Sequence, residues 1–448
     1  MKSFALLTKF LNTFELNHKD QPEFFQSVQE FFSSILPFLY DHSKYQDISL
    51  LKRLTEPERI IQFRVCWIDD SGKTQINTGW RVQFNSSIGP FKGGIRFHES
   101  VNISVLKFLG FEQTFKNALT NFPIGGGKGG SNFSIKKKSK VEIERFCQSF
   151  ILNSYKYLGA NTDIPAGDIG VGYSEIDLMA GMMRKICGDS SCVFTGKSLF
   201  SSGSQLREES TGYGVIYLTE LALNYHHNES INKKKVLISG SGNVAIHAIE
   251  KCIQMGARVI TASDSDGTVV DLEGFNIEKL NRLKFIKKEL NGRIQQYSEE
   301  FGLIYLKDKS PWSISADIAI PCATQNEINE VDAEMMIKNN IKIVVEGSNM
   351  PVIKKAIQLF QNYDILFIPG KIANSGGVIV SVLEKIQNST YSVWNKNKVE
   401  KEMKKVMKNS YRTSIKYGEE KKKVNYVRGA NIASFVKVAD AVISQGSI

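Results

Sequence analysis

One lysine stands in a glycine-rich stretch at residues 121–131, which reads Asn-Phe-Pro-Ile-Gly-Gly-Gly-Lys-Gly-Gly-Ser. Because glycine has no Cβ, such a backbone can approach a ligand closely. If the amine of Lys128 is held away from water, its charged form is disfavoured and its pKa falls. Such a lysine can act as a base or as an electrostatic catalyst near neutral pH. Taken alone, the stretch favours the other interpretation, a flexible surface loop carrying a hydrated lysine.

Segments of the same character lie on both sides of this stretch. Upstream, residues 89–94 contain Lys92, and Lys116 follows on a helical pattern. Downstream, residues 165–170 contain Asp168. We predict that the three lysines and the aspartate, each on a turn-rich or helix-edge segment, form one site rather than separate surface groups.

A second motif, Gly-Ser-Gly-Asn-Val-Ala at residues 240–245, matches the dinucleotide-binding pattern G-x-G-x-x-G/A. It follows a short apolar strand, it opens a helix, and Asp264 stands about 20 residues further on, as the βαβ unit requires. Gly240 and Gly242 would allow the tight turn and the close approach of a pyrophosphate to the helix N-terminus. The sequence therefore predicts binding of NAD or NADP.

The choice between these two cofactors stays open from the residues alone. Asp264, at the end of the second strand, would ordinarily accept the ribose 2′-hydroxyl and repel a 2′-phosphate. Nearby polar and basic residues could instead neutralise a phosphate. They are Ser263, Ser265, Lys287, Lys288 and Arg293, the last three on a predicted basic helix.

Composition and charge limit the classes of function. The formal charge of +11 comes with short lysine clusters that lack interleaved aromatic residues, which favours a hydrated surface over nucleic-acid binding. The six cysteines form no CxxC pair, which predicts neither a metal site nor disulfides and favours a reducing, cytoplasmic compartment. No apolar run is long enough to span a bilayer. Gly-Lys-Ser at 196–198 resembles the end of an NTPase loop, but Ser191 stands where its first glycine is required.

The elements that must position these residues fall into two groups. Before residue 200 the spacing predicts N-terminal helices, a β-hairpin, a loop at 90–94 and further helices, of which the one at 105–119 places Gln113 and Lys116 on one face. The hairpin is predicted at 59–70 and 74–85, and the further helices at 105–119, 141–157 and 174–187. After a polar segment at 197–209, strands alternate with helices. These strands are predicted at 236–239, 258–262, 317–320, 343–346 and 365–368.

We therefore predict an α/β protein of two domains with an active-site cleft between them. Residues 1–200, together with a returning C-terminal helix at 425–448, would form a mixed α/β substrate-binding and oligomerisation domain. Residues 201–424 would form a Rossmann-like, doubly wound dinucleotide-binding domain.

Motifs along nearly the whole chain resemble the hexameric NADP-linked glutamate dehydrogenases. They lie at 79–85, 89–98, 110–117, 125–130, 165–170, 211–214, 262–265, 321–326, 346–351 and 373–377. The resemblance implies reversible oxidative deamination of L-glutamate to 2-oxoglutarate and ammonia with NADP(H), serving ammonium assimilation. It also implies a homohexamer, while the composition and charge predict a cytoplasmic protein that binds neither nucleic acid nor membrane. The same reaction with NAD, and a catalytically silent binding protein, are the alternatives.

The resemblance also implies roles for individual residues. Lys92 and Ser381 would hold the side-chain carboxylate of glutamate, while Gln113 and Lys116, with backbone near Gly167, would hold the α-carboxylate. In relatives that use leucine or phenylalanine, the positions matching Lys92 and Ser381 are apolar, so their polar identity here indicates a dicarboxylate.

Lys128 would be the catalytic lysine and Asp168 its proton-transfer partner. Thr211 and Asn243 would contact the cofactor. The remaining predicted cofactor positions are Gly240, Gly242, Val244, Ser263, Asp264, Ser265, Lys287 and Asn349.

Overall fold

A computed structural model describes residues 2–188, 193–420 and 423–446, with side chains from Leu7 onward. The chain divides into two compact units. The first comprises Met1–Gln205, Ser381–Val399 and Arg428–Ile448, and the second comprises Leu206–Val380 and Glu400–Val427. The first unit also takes in residues 381–399, which the sequence analysis assigned to the dinucleotide-binding domain. The predicted domain boundaries stay predictions, but Ser381 belongs to the same compact unit as Lys92.

The helices are α1 (Lys2–Asn17), α2 (Pro22–Asp41), α3 (Ile48–Thr55), α4 (Ile103–Leu119), α5 (Lys140–Ser154), α6 (Tyr173–Cys187), α7 (Ser210–His227), α8 (Asn243–Gln254), α9 (Ile277–Lys288), α10 (Ile294–Phe301), α11 (Glu330–Lys338), α12 (Lys354–Asn362), α13 (Gly370–Ala373), α14 (Gly376–Ser389), α15 (Lys396–Gly418) and α16 (Tyr426–Ser444). Short 3-10 helices span Ser43–Tyr45, Tyr155–Tyr157, Leu199–Ser201 and Pro311–Ser313.

The strands are β1 (Arg59–Ile68), β2 (Thr74–Asn85), β3 (Phe91–Phe97), β4 (Gly126–Ser131), β5 (Asp163–Gly167), β6 (Lys235–Ile238), β7 (Arg258–Val259), β8 (Thr261–Asp264), β9 (Gly267–Val270), β10 (Ile304–Lys307), β11 (Ile318–Ile320), β12 (Ile343–Val345), β13 (Leu366–Ile368), β14 (Glu419–Glu420) and β15 (Lys423–Val424).

The first unit is built on a mixed sheet with the order β1-β2-β4-β3-β5. The predicted hairpin of β1 and β2 is confirmed, and β4, in the middle, runs antiparallel to β2 and parallel to β3. Two predictions were wrong. The loop at 90–94 is the start of β3, and the glycine stretch, interpreted as turn-rich, is largely the fully buried strand β4. Glycine is unusual inside a strand, and it is accepted here because other groups approach the backbone closely.

Aromatic side chains fill the space between this sheet and helices α5 and α6. The rings of Phe133 and Phe146 stack with centroids 3.7 Å apart, and Phe97 meets Phe146 edge to face at 5.0 Å. This cluster is buried and continues into Met179 of α6. The helical pattern that predicted α5 and α6 is therefore the pattern of residues that cover one face of the sheet.

A buried ion pair ties opposite sides of the same sheet together. Arg81 of β2 donates from Nε to Oδ2 of Asp163 in β5 at 2.8 Å, and its Nη1 reaches the carbonyl of Gly93 in β3 at 3.2 Å. Gln83 donates to the same carboxylate at 3.0 Å. Removing one member of such a pair commonly costs about 3–5 kcal/mol, because the other charge is left buried. The pair therefore restrains the strands on both sides of β4.

The second unit contains a parallel sheet with the order β13-β12-β11-β6-β7. The chain starts at β6, adds β7 on one side, and then adds β11, β12 and β13 on the other. The predicted doubly wound sheet is confirmed. The strand predicted at 258–262 is divided between β7 and β8, and β8 joins the antiparallel sheet β10-β9-β8, whose other strands were not predicted.

Within the described part of the chain, none of the helices combines the length and the apolar character needed to cross a membrane. Over the same residues, no group of three or more His, Cys, Asp or Glu side chains is arranged to hold a metal ion. The cysteines at 66, 147, 187, 252 and 322 are free thiols, and Cys192 lies outside the described residues.

Candidate active site

Lys128 lies near the middle of β4, opposite Val82 of β2, and only 5% of its surface is exposed. Its Nζ is 3.1 Å from Oδ1 of Asp168. Burial lowers the pKa of this amine, Asp168 opposes that shift, and the positive charges of Arg96 and Arg81 add to it. Lys128 is therefore buried and paired, and the alternative interpretation of the sequence, a hydrated lysine on a surface loop, is wrong.

The second oxygen of the same carboxylate is held by an arginine. Arg96 of β3 donates from Nε to Oδ2 of Asp168 at 2.6 Å. Burial alone would raise the pKa of Asp168, but the charges of Lys128 and Arg96 outweigh that effect and lower it to about 2. Asp168 is therefore an anion at neutral pH, although only 19% of its side chain is exposed.

The strand register explains how these three side chains meet. Arg96 lies opposite Gly130, two positions from Lys128, so both side chains leave the same face of the sheet. Asp168 follows directly after β5, whose Gly167 pairs with Ile95. A Cβ at Gly94 would come within 2.8 Å of Cβ of Asp168, so glycine is required there to bring the carboxylate onto this face.

Lys92, at the start of β3, is almost fully buried, with 2% of its surface exposed. Its Nζ donates to Oγ1 of Thr195 at 2.7 Å. Thr195 is itself held beside β5, because its amide donates to the carbonyl of Pro165 at 3.1 Å. A buried ammonium held in this way can pair with a ligand carboxylate at a fixed place.

Helix α4 carries the residues predicted to hold a second carboxylate. Gln113 donates from Nε2 to Oδ1 of Asn117 at 2.7 Å. Asn117 in turn donates to the carbonyls of Lys92 at 3.1 Å and Gly125 at 2.6 Å. This buried asparagine thus fixes Gln113 relative to the backbone that carries Lys92. Lys116 lies on the same helix and is partly exposed.

Ser381 is buried on α14 in the first unit. One turn further along this helix, the buried carboxylate of Glu384 accepts from the amide of Gly196 at 2.8 Å and from Nζ of Lys197 at 2.8 Å. Since residue 196 follows Thr195 directly, these bonds tie the helix of Ser381 to the segment beside Lys92. Lys197, whose motif suggested a nucleotide loop, is thus a buried structural lysine.

The second unit presents the predicted dinucleotide loop between β6 and α8. Gly240 has a φ of +83°, and a Cβ there would come within 3.1 Å of the backbone at Cys322 and Ala323, which follow β11. The loop therefore lies where the strand order reverses, which is the usual place for a ligand in such sheets. A Cβ at Gly242, the N-cap of α8, would meet nothing within 4 Å, so a phosphate can approach this helix N-terminus.

The carboxylate of Asp264 is already engaged by protein groups. Its Oδ2 accepts from the amide of Ile294 at 2.9 Å and lies 3.3 Å from Nζ of Lys287, while its Oδ1 accepts from the amide of Asp266 at 3.0 Å. Only 8% of the side chain is exposed. The residue is therefore poorly available to a ribose hydroxyl, and its negative charge has a cation beside it.

The other polar and basic residues that were predicted near Asp264 have different partners. Arg293 donates to Oγ of Ser265 at 2.7 Å and stands at the N-cap of α10, not on the basic helix where we predicted it. Ser263 instead accepts from the amide of Gly240 at 2.7 Å and so shapes the glycine loop. Lys288 pairs with Glu208 at 3.8 Å, away from Asp264.

The other predicted cofactor residues also lie in the second unit. Asn243 donates to the carbonyl of Glu208 at 2.7 Å, and Asn349 accepts from Nδ2 of Asn374 at 3.0 Å. Thr211 lies in the first turn of α7. This turn lies close to the start of α8, because a Cβ added at the next residue, Gly212, would be 2.6 Å from the carbonyl oxygen of Val244. Their roles in binding a cofactor stay predictions.

The polar partners of the site were not predicted from the sequence. Arg96, Thr195 and Asn117 each contact a residue that was predicted. Arg96 and Asn117 lie inside two of the motifs that resemble the family, at 89–98 and 110–117. If β3 had been recognised as a strand, the alternation of its side chains would have placed Arg96 on the same face of the sheet as Lys128. Nothing in the local pattern around Thr195 indicates a contact with Lys92, because the two are far apart in sequence.

Two family profiles match the chain. Residues 57–185 match the profile described as Glu/Leu/Phe/Val dehydrogenase, dimerisation domain, and residues 202–446 match Glutamate/Leucine/Phenylalanine/Valine dehydrogenase. The two profiles together cover most of the chain.

Individual relatives resemble the chain over its whole length. The NADP-specific glutamate dehydrogenase of Escherichia coli (strain K12) is 54% identical over 442 residues, 99% of each chain. That of Haemophilus influenzae is 51% identical over 448 residues, 100% of each chain. The solved structure of Plasmodium falciparum glutamate dehydrogenase 2 is 45% identical, with a TM-score of 0.95 over 100% of this chain and 98% of that one. The chain therefore belongs to the Glu/Leu/Phe/Val dehydrogenase family.

Proposed function

We propose that this chain catalyses the reversible oxidative deamination of L-glutamate to 2-oxoglutarate and ammonia with NADP(H), and that it serves ammonium assimilation. The relatives that match it over its full length are named NADP-specific glutamate dehydrogenases. The observation that carries the proposal is the contact between the buried amine of Lys128 and the carboxylate of Asp168 at 3.1 Å. A buried lysine with a lowered pKa beside an ionised carboxylate is a proton-transfer pair.

The substrate is a dicarboxylate, and two separated cations suit its two carboxylates. Lys92, buried and held by Thr195, would pair with the side-chain carboxylate together with Ser381. Lys116 and Gln113 would hold the α-carboxylate with help from backbone near Gly167, and Asn117 orients Gln113. A substrate clamped at both ends presents its α-carbon in one orientation, which favours reaction by proximity.

The residues of the first unit can carry out the proton transfers. The amine of Lys128 can polarise the ketone of 2-oxoglutarate and stabilise the carbinolamine that ammonia forms with it. Asp168 can accept and return protons as water leaves and the iminium forms. Bound NADPH supplies the hydride that reduces the iminium carbon. The second unit would hold this cofactor at Gly240, Gly242 and the N-terminus of α8.

We further propose that the chain works as a homohexamer. The match to the family's dimerisation domain supports association of chains, and so does β1, which is an edge strand of its sheet among the described residues and exposes Ile60 and Ile68. Exposed apolar side chains on a sheet edge favour pairing with another chain. Light scattering should then give a mass of six chains, whereas a monomer would refute this assembly. The cytoplasmic location stays a prediction.

The direct test is the oxidation of NADPH, followed by absorbance, with 2-oxoglutarate and ammonium, beside the same assay with NADH. We expect rapid loss of NADPH that requires both substrates, and slow loss of NADH. Preference for NADH would keep the reaction and overturn the cofactor. Absence of turnover with either cofactor, in folded protein that still binds NADPH, would support a catalytically silent binding protein instead.

A further inference from the structure

The carboxylate of Asp168 is held by a different cation at each oxygen. Lys128 approaches Oδ1 at 3.1 Å, and Arg96 donates from Nε to Oδ2 at 2.6 Å. Arg96 is not needed to hold substrate or cofactor in the function proposed above. Its side chain is nevertheless only 16% exposed and is directed at the carboxylate that contacts Lys128.

We propose that Arg96 is a positioning residue that fixes the carboxylate of Asp168 in one orientation, so that only Oδ1, the oxygen beside Lys128, exchanges protons during the reaction. This inference rests on the proposed function, because it takes Lys128 and Asp168 as the proton-transfer pair. The arginine acts through the carboxylate and touches no reacting atom.

The geometry favours this role over a purely structural one. An arginine that donates to one carboxylate oxygen removes that oxygen from exchange, because a guanidinium does not give up its proton near neutral pH. The other oxygen then remains within reach of the amine. Without Arg96, the carboxylate of Asp168 could rotate and present either oxygen to Lys128. The two residues would then lose the fixed orientation that proton transfer requires.

Arg96 also affects the charge balance of Lys128. The charged groups that act on this amine are Asp168, which favours its protonated form, and Arg96 and Arg81, which disfavour it along with burial. Arg81 lies opposite Gly129 and so leaves the other face of the sheet. Of these two arginines, Arg96 is therefore the one on the same face of the sheet as Lys128, and removing it would raise the pKa of both Lys128 and Asp168.

The test compares Arg96→Gln and Arg96→Lys with the unaltered chain. In the NADPH assay we expect Arg96→Gln to lower kcat by about 10–100-fold and to move the acidic limb of the pH–rate profile upward by about one pH unit. Arg96→Lys keeps a cation and should recover part of both losses. The KM for NADPH should stay unchanged. Arg184→Gln, at an exposed position of α6 in the same unit, is the control and should leave kcat and the acidic limb unaltered.

A second measurement does not depend on turnover. Competitive labelling of the Lys128 amine with acetic anhydride, followed by mass spectrometry across pH, reports the fraction of neutral amine. In Arg96→Gln the midpoint of this labelling should shift to higher pH. An unmoved midpoint would overturn the role of Arg96 whether or not the chain turns over. A shifted midpoint in a chain without turnover would support the role of Arg96 and refute only the proposed reaction.

Discussion

Replacing Lys128 by alanine is expected to lower kcat by about 10³–10⁴-fold while the chain still folds and still binds NADPH. The amine is the only group shown in contact with Oδ1 of Asp168 among the described residues, and the proposed chemistry asks it to polarise the ketone and to exchange protons. The fold should survive, because Asp168 keeps its bond to Arg96 and alanine fits a strand built otherwise of glycine and serine. Steady-state assays with saturating substrates, beside circular dichroism and NADPH fluorescence, measure the three quantities.

Two companion variants show what the amine contributes. Lys128→Arg keeps a positive charge but cannot give up its proton near neutral pH, so it should be nearly as inactive as Lys128→Ala if proton transfer is the main task. Recovery of activity in Lys128→Arg would instead indicate a purely electrostatic task. Lys136→Ala removes an exposed lysine after the same strand and should have no effect. Turnover close to normal in Lys128→Ala would remove this lysine from the mechanism.

The sequence predicted which residues form this site, but not the secondary structure that carries them. Lys128 was singled out by the glycines around it, and those glycines were interpreted as a turn-rich segment because of the conformational freedom of glycine. In the folded chain β2 and β3 pair with β4 on both sides, and this tertiary pairing overrides the local preference. Local propensity does not include such pairing, so β3 and β4 were mistaken for loops while the hairpin, with its regular alternation, was predicted correctly.

Partners distant in sequence were beyond prediction from the pattern of one chain. Thr195 stands 103 residues from Lys92, and their contact depends on where the segment after α6 returns to β5. Glu384 and Lys197 are separated by 187 residues in the same way. The resemblance to known enzymes supplied the residues that are predicted to touch ligands, whereas the buried bonds that orient them became visible only in three dimensions.

The choice between NAD and NADP also depends on contacts that the sequence pattern does not reveal. From the sequence, Asp264 argued for NAD and the basic residues after it argued for NADP, and no spacing rule decides between them. The structure shows that the carboxylate accepts two backbone amides and lies beside Lys287, so its presence does not exclude a 2′-phosphate. The preference between the two cofactors depends on the net charge that these contacts leave near the expected 2′-phosphate. This net charge depends on how α9 and α10 fold around Asp264.

Replacing Lys287 by alanine is therefore expected to weaken NADPH binding strongly and to leave NADH nearly unaffected. The change removes a cation near the expected 2′-phosphate and also uncovers the negative charge of Asp264, from which Nζ lies 3.3 Å away. A lost charge-assisted contact together with a new repulsion should raise the KM for NADPH by about 10–100-fold. Initial rates with each cofactor, at saturating 2-oxoglutarate and ammonium, give the ratio of kcat/KM for NADPH to that for NADH.

The adjacent residue offers a matched control. Lys288 is the next lysine on α9, but it faces Glu208 at 3.8 Å and is half exposed, so Lys288→Ala should leave the cofactor ratio close to that of the unaltered chain. Adding Asp264→Ser to Lys287→Ala removes the uncovered charge and should return part of the affinity for NADPH. An equal loss with both cofactors in Lys287→Ala would show that this lysine supports the fold of the loop. Values of kcat/KM that stay unchanged with both cofactors would mean that the 2′-phosphate is held elsewhere, with Arg293 the next residue to replace, since its guanidinium already donates to Ser265.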